Sequence, residues 1–288
     1  MIATGKGEDF EYSLALPEGE RWFLACVNRI DYPDGDKTVC LAIREISDRK
    51  RAEKNLRISE EKFSKARELI RRASESAQRA DQKETAAGYE AEAAWREALV
   101  GNMSVAKQQA QAALALSTGR DVEAISAIAL GLTGDAPQAA RLAADLAKRF
   151  PEDTIVQFNY RPTIRAAIAL RGGSASKAIE ALVPVAPYEL GQAGQALYPV
   201  YLRGEAYLAA QQGSAAAAEF QKILDHPGLV VNEPIGALAH LGLARAYALS
   251  GDSVKSRTEY QNFLALWKNA EPDIPIMKQA KAEYAKLP

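Results

Sequence analysis

The sequence predicts a mostly α protein, an α-solenoid of helical hairpins behind a small N-terminal three-stranded antiparallel β meander. Three observations carry that expectation. Strand-like runs are confined to residues 9–46. From Ser47 onward Ala dominates and apolar residues recur three and four apart, the spacing of one helix face. Across this helical region a single pattern returns five times at an interval of about 33 to 40 residues, which is how stacked repeat units announce themselves.

The strand segment reads DFEYSLAL, RWFLACVNRID and KTVCLAIREI, broken at Pro17-Glu18-Gly19-Glu20 and Pro33-Asp34-Gly35-Asp36. Asp-Gly between two apolar runs is a hairpin cue, because both central turn positions need positive φ. Both faces of RWFLACV carry apolar residues, so each side of the sheet needs cover. Ser47 is a suitable helix N-cap. Behind it Ala52, Leu56, Ser59, Phe63, Ala66, Ile70, Ala73 and Ala77 alternate in steps of four and three, which predicts one continuous helix. As a dimer seam this Ala-rich stripe buries little apolar area, at roughly 25 cal/mol per Å². As a face packed closely on a neighbouring hairpin it is favourable.

The five repeats are WREALVGNMSVAKQQAQAAL (95–114), AIALGLTGDAPQAARLAADL (127–146), AAIALRGGSASKAIEAL (166–182), EAYLAAQQGSAAAAEFQKIL (205–224) and RAYALSGDSVKSRTEYQNFL (245–264). In each, an Ala-rich helix ends at Gly, and Asn, Asp or Ser opens a second helix. Gly101, Gly134, Gly173 and Gly251 suit a left-handed C-cap. Ala106, Ala139, Ala178, Ala216 and Ser256 are expected where paired helices approach closely. Leu182, Phe220 and Tyr260, four residues later, are expected to fill the space between hairpins. Gly213 lies late relative to the others, and VPVAPYELGQAGQALY (183–198) reads as an irregular connector. The division expected is a β segment over 1–46, a connecting helix merging into the first repeat over 47–85, the array over 86–270 and a C-terminal helix over 271–288.

This grammar, with Tyr207 and Tyr247 and the closing Pro151 and Pro227, resembles the tetratricopeptide repeat over about residues 60–270. The wording of AEAAWREALVGN, RFPEDTIVQFNYRPTIRAAIAL and FQKILDHPG is similar to the C-terminal repeat region of bacterial eukaryote-like Ser/Thr protein kinases. Trp22, Asp34-Gly35, Glu45-Ile46-Ser47 and Asp48-Arg49-Lys50-Arg51-Ala52-Glu53 resemble the PAC motif, the second half of a PAS sensory domain. The resemblance implies signal transduction, either as an interaction scaffold, as a fragment of a PAS-type small-molecule sensor, or as the regulatory tail of a kinase.

Chemistry has few footholds. No Gly-rich loop with a following strand Lys, no His-Arg-Asp and no Asp-Phe-Gly occurs, so the machinery of phosphoryl transfer is missing and no catalytic residue or enzyme activity is expected. The two histidines, His226 and His240, lack metal-ligand spacing, and no metal or cofactor is expected. Lys and Arg total 36 against 37 Asp and Glu, which gives no basic footprint for nucleic acid. Cys26 and Cys40 are too few for a disulfide framework and fit a reducing, cytoplasmic setting. No apolar run approaches the roughly 20 residues of a membrane span.

The partner expected is a protein or peptide, lodged on the concave face that first helices of such hairpins line. The candidate contacts are Tyr160, Arg161, Arg165, Tyr188, Glu189, Tyr198, Tyr201, Arg203 and Glu205, since aromatic and Arg side chains anchor interfaces. The same tyrosines can instead fill gaps between Ala-rich helices. A terminal-carboxylate clamp, which needs Lys, Asn and Arg on successive first helices, is not expected where the chain offers Ala91, Trp95 and Ile125.

Overall fold

A computed structural model describes residues 3–4, 8–16, 19–31, 37–45, 67–191, 197–231, 233–268 and 274–287. Two compact units, Met1–Glu61 and Lys62–Pro288, are separable. The boundary falls inside the segment read as a connecting helix.

In the first unit, β1 (Ala3–Thr4), β2 (Glu8–Leu16), β3 (Gly19–Asp31) and β4 (Lys37–Glu45) form one antiparallel sheet. The long β3 is central: Tyr12 faces Phe23 on the β2 side, and Ile43 faces Ala25 on the β4 side. The short β1, which local alternation did not reveal, extends the β2 edge by pairing Ala3 with Asp31. Gly19 and Glu20, expected in a turn, already belong to β3; residues 17–18 and 33–36 of the expected turns lie outside the described residues. Ala25 is buried at the middle of the sheet.

The second unit is helical. Most of the expected helix from Ser47 falls outside the described residues. Its described stretch, α1 (67–79), stops at Asp81 instead of running on through KETAA. Asp81 takes a positive φ of 56°, and the Gln82 N–H bonds to the Ala77 carbonyl at 2.8 Å, which reverses the chain. Ser74 and Ala77 are the buried positions of α1.

Five antiparallel hairpins follow: α2 (Lys83–Leu99) with α3 (Met103–Leu116), α4 (Arg120–Thr133) with α5 (Ala136–Arg149), α6 (Arg161–Arg171) with α7 (Ala175–Leu182), α8 (Tyr198–Ala209) with α9 (Gly213–Leu224), and α11 (Ile235–Leu249) with α12 (Ser253–Leu266). A π-helical turn (Val156–Tyr160) leads into α6, a 3-10 turn (Val183–Tyr188) lies in the connector after α7, α10 (Pro227–Val230) precedes α11, and α13 (Pro275–Tyr284) closes the chain.

Each hairpin turns in the same way. Asn102, Asp135, Ser174, Gln212 and Asp252 send their N–H back five residues, to the carbonyls of Glu97, Leu130, Ala169, Tyr207 and Tyr247, at 2.8 to 2.9 Å. This bond closes the left-handed cap that reverses a helix. Gly101, Gly134, Gly173 and Gly251 supply the positive φ in four of the five. In the fourth hairpin Gln211 does so, at φ 59°. Gly213 instead opens α9, where a Cβ would sit 2.5 Å from Ser250 Oγ and 2.7 Å from the Ala246 carbonyl. Its lateness is a packing requirement.

Ala106, Ala139, Ala178, Ala216 and Ser256 are fully buried, as are Leu182 and Phe220, with Tyr260 nearly so. First helices α2, α4, α6, α8 and α11 touch in succession and carry the continuous core. Among the described residues, no helix is long and apolar enough to cross a membrane.

Candidate functional site

The inner face made by the first helices is narrow. Trp95 on α2 meets Tyr198 on α8 edge-on, with ring centroids 4.5 Å apart, although α4 and α6 lie between those helices in sequence. The contact leaves a half-open cavity of about 150 Å³. Its wall combines Trp95 and Arg96 from α2, Ile125 and Ile128 from α4, Tyr160 from the π-helical turn, and Tyr198 from α8. Glu233, just ahead of α11, closes the mouth.

Polar groups at that mouth are tightly paired. The Arg96 guanidinium donates from Nη2 to Glu233 Oε1 at 2.9 Å and from Nε to Glu233 Oε2 at 3.3 Å. The Tyr198 hydroxyl donates to Glu233 Oε2 at 2.5 Å. Arg96 Nη2 also reaches Glu92 Oε2, one turn back, at 3.1 Å. Burial, and then the Glu233 charge, push the Tyr198 phenol well above its ordinary pKa, so it stays a donor. Tyr160, buried in the wall, donates its hydroxyl to the exposed Asp121 at 3.0 Å. The Trp95 indole nitrogen is buried with no acceptor at hydrogen-bonding geometry.

Other expected contact residues are distributed differently. Arg203 is buried on α8 and donates from Nη2 to Glu189 at 2.8 Å and to Glu219 at 2.6 Å. Lys222 also pairs with Glu189. This network ties the connector to the fourth hairpin, and Glu189 and Arg203 are consumed by it. Tyr201 is buried against Phe220, with centroids 5.8 Å apart, and with Glu205 it lines a second cavity of about 380 Å³ covered by α13. Burial pushes the Glu205 carboxyl up, against the pull of Arg245. These four side chains are internal, which corrects their expected place on an open concave surface. The Ala-rich helices pack so closely that large side chains on the inner face meet one another.

On the outside, Tyr188 is exposed and stacks on exposed Phe158 at 5.5 Å. Arg161 bonds to Gln157, one turn back. Arg165 lies apart from both, in an open groove with Lys177 and Glu180. Only Tyr160 and Tyr198 of the expected contacts reach the inner cavity. Arg96 and Glu233 were missed because their contact spans 137 residues, beyond any local pattern. Trp95 was visible as the one Trp in an Ala-rich helix, and that was the available signal.

His240 Nδ1 lies 2.6 Å from Glu259 across the α11–α12 hairpin, and His226 Nδ1 lies 2.8 Å from the Lys222 carbonyl one turn back. Among the described residues no group of three or more His, Cys, Asp or Glu side chains could hold a metal ion. Compared with models of known families and with curated proteins, the chain matches none.

Proposed function

We propose that this chain is a non-catalytic protein-interaction scaffold of signal transduction, a tetratricopeptide-like solenoid joined to a PAC-like strand segment. Its partner, a protein or peptide, would enter at the inner face of the hairpin array. The observation that carries this reading is convergence. Trp95 and Arg96 from α2, Tyr198 from α8, and Tyr160 and Glu233 from the segments that lead into α6 and α11 converge on one cavity of about 150 Å³. That volume suits one or two side chains, so the partner would be gripped by an anchor residue and not laid along an open groove.

Photo-cross-linking tests this. Benzoylphenylalanine at Glu92, which is exposed and lines the cavity, should give adducts with a host protein. The same group at Val254, 79% exposed on α12, should not. Adducts from neither position, or equal adducts from both, would remove the inner face as the binding surface.

A further inference from the structure

The Glu233 carboxylate is held as a ligand would be. It receives two hydrogen bonds from the Arg96 fork and a third from Tyr198, residues far from it in sequence. Bidentate Arg with an added hydroxyl donor is a recurrent way to recognise a carboxylate. The side chain is one-fifth exposed, so it lies at the protein surface and not in the core.

The backbone that presents it is under strain. Val231 adopts φ 52° and ψ −116°, the angles of the first central residue in a type II′ turn, a place for Gly. The Glu233 N–H closes that turn on the Val230 carbonyl at 3.0 Å. A β-branched residue at positive φ is uphill, and such strain gathers at ligand clamps.

Glu233 is also an incomplete occupant. It satisfies Arg96 and Tyr198, while Ile125, Ile128 and Pro199 make the rest of the cavity wall apolar, a surface a carboxylate does not match. The Trp95 side chain beside it is only 5% exposed, and its indole N–H, next to the Tyr198 hydroxyl, makes no well-formed hydrogen bond. An organic cation would face Arg96 at the mouth, and a polyanion would face Glu92. A single carboxylate next to an apolar group meets both halves of the site.

We propose that Arg96, Tyr198 and Trp95 form a receptor for an acidic side chain, Asp or Glu beside an apolar residue in a partner peptide, and that Glu233 is an internal stand-in which it displaces. This rests on the interaction reading above and names the chemistry of its anchor. The carboxylate replaces Glu233 on Arg96 and Tyr198, the neighbouring apolar side chain fills the cavity, and a peptide carbonyl accepts from Trp95.

The test uses the full chain and three probes: acetyl-Ala-Glu-Leu-Ala-amide, its Gln counterpart, and acetyl-Ala-Ala-Leu with a free C-terminus. Titration calorimetry gives affinity, and the Trp95 indole N–H resonance, assigned with Trp95→Phe, reports the site. Glu233→Ala should bind the Glu peptide about tenfold tighter than the unaltered chain, the scale of one charge-assisted hydrogen bond. Its indole resonance should shift. Adding Arg96→Lys should reverse the gain while thermal melts stay cooperative, since Lys keeps the charge and loses the fork. Equal affinity with and without Glu233, binding of the Gln peptide as strong as the Glu peptide, or an unmoved Trp95 resonance would each overturn the proposal. Binding of the free C-terminal peptide alone would overturn the assignment to a side chain. If no peptide binds Glu233→Ala while cross-linking at Glu92 still captures a partner, the carboxylate receptor falls and the scaffold stands.

Discussion

At the scale of single residues, two side chains occupy positions that cost stability. Val231 holds a positive φ that Gly would adopt freely. Val231→Gly should therefore raise stability by about 1 kcal/mol, the relief of strain outweighing the added freedom of the unfolded chain. Urea titration would measure it, and a loss of stability would mean that the Val231 backbone is not strained. Glu123 is buried on α4, where its carboxylate takes a 2.7 Å bond from Arg149 Nη1. Burial, and then the charge of Asp145, push it up to about 7 against the pull of Arg149. The sign follows from the proton count. Between the ordinary 4.5 and about 7 the folded chain keeps a proton that the unfolded chain has lost, so stability falls as pH rises through this window. Glu123→Gln should flatten the melting temperature across that range. An identical slope in both proteins would place the titration elsewhere.

At the scale of helices, the repeat grammar was legible and its reasons were partly not. A Gly after each Ala-rich helix announced most of the turns, because a left-handed cap has a residue signature. Gln211 carries no such signature, yet it takes φ 59° and its turn closes with the same bond, Gln212 N–H to the Tyr207 carbonyl at 2.9 Å. Gly204 and Gly242 were equally silent in the sequence, looking like helix-weakening residues in two first helices. The structure gives them a shared purpose: the Phe220 ring of α9 sits against both. A Cβ on Gly204 would meet that ring at 2.7 Å, and one on Gly242 at 2.5 Å. Gly242→Ala should thus destabilise by roughly 1–3 kcal/mol, the cost of overpacking, although Ala is the better helix former. Combining it with Phe220→Leu should recover some of the loss. If the double variant is as weak as the sum of the two single ones, measured by denaturant midpoint, the ring is not what excludes the methyl group.

At the scale of the whole helical unit, the hairpins do not simply run from one end to the other. Linear arrays touch only nearest neighbours, so a defect at one end leaves the far end intact. Here α13 reaches back to the first hairpin: the Ile276 N–H bonds to the Val100 carbonyl at 3.2 Å, and Pro275 packs where Gly101 has no side chain. The same helix is anchored to the last hairpin, with Glu283 accepting from Arg245 at 2.9 and 3.2 Å and from Tyr260 at 3.0 Å. Its own Met277 and Ala280, with Ile274 at its N-cap, are buried. Together with Arg96–Glu233, these bonds make the array a closed circuit whose ends support each other. No sequence pattern shows closure, because it depends on the curvature summed over five hairpins. Removing residues 274–288 should accordingly speed amide hydrogen exchange in two separated places, the end of α2 around Val100 and the α11–α12 hairpin. The middle hairpin, α6–α7, should change least. Exchange that rises in α11–α12 alone would show an open array, and would also weaken the case that Glu233 is held against Arg96 by the geometry of the ring.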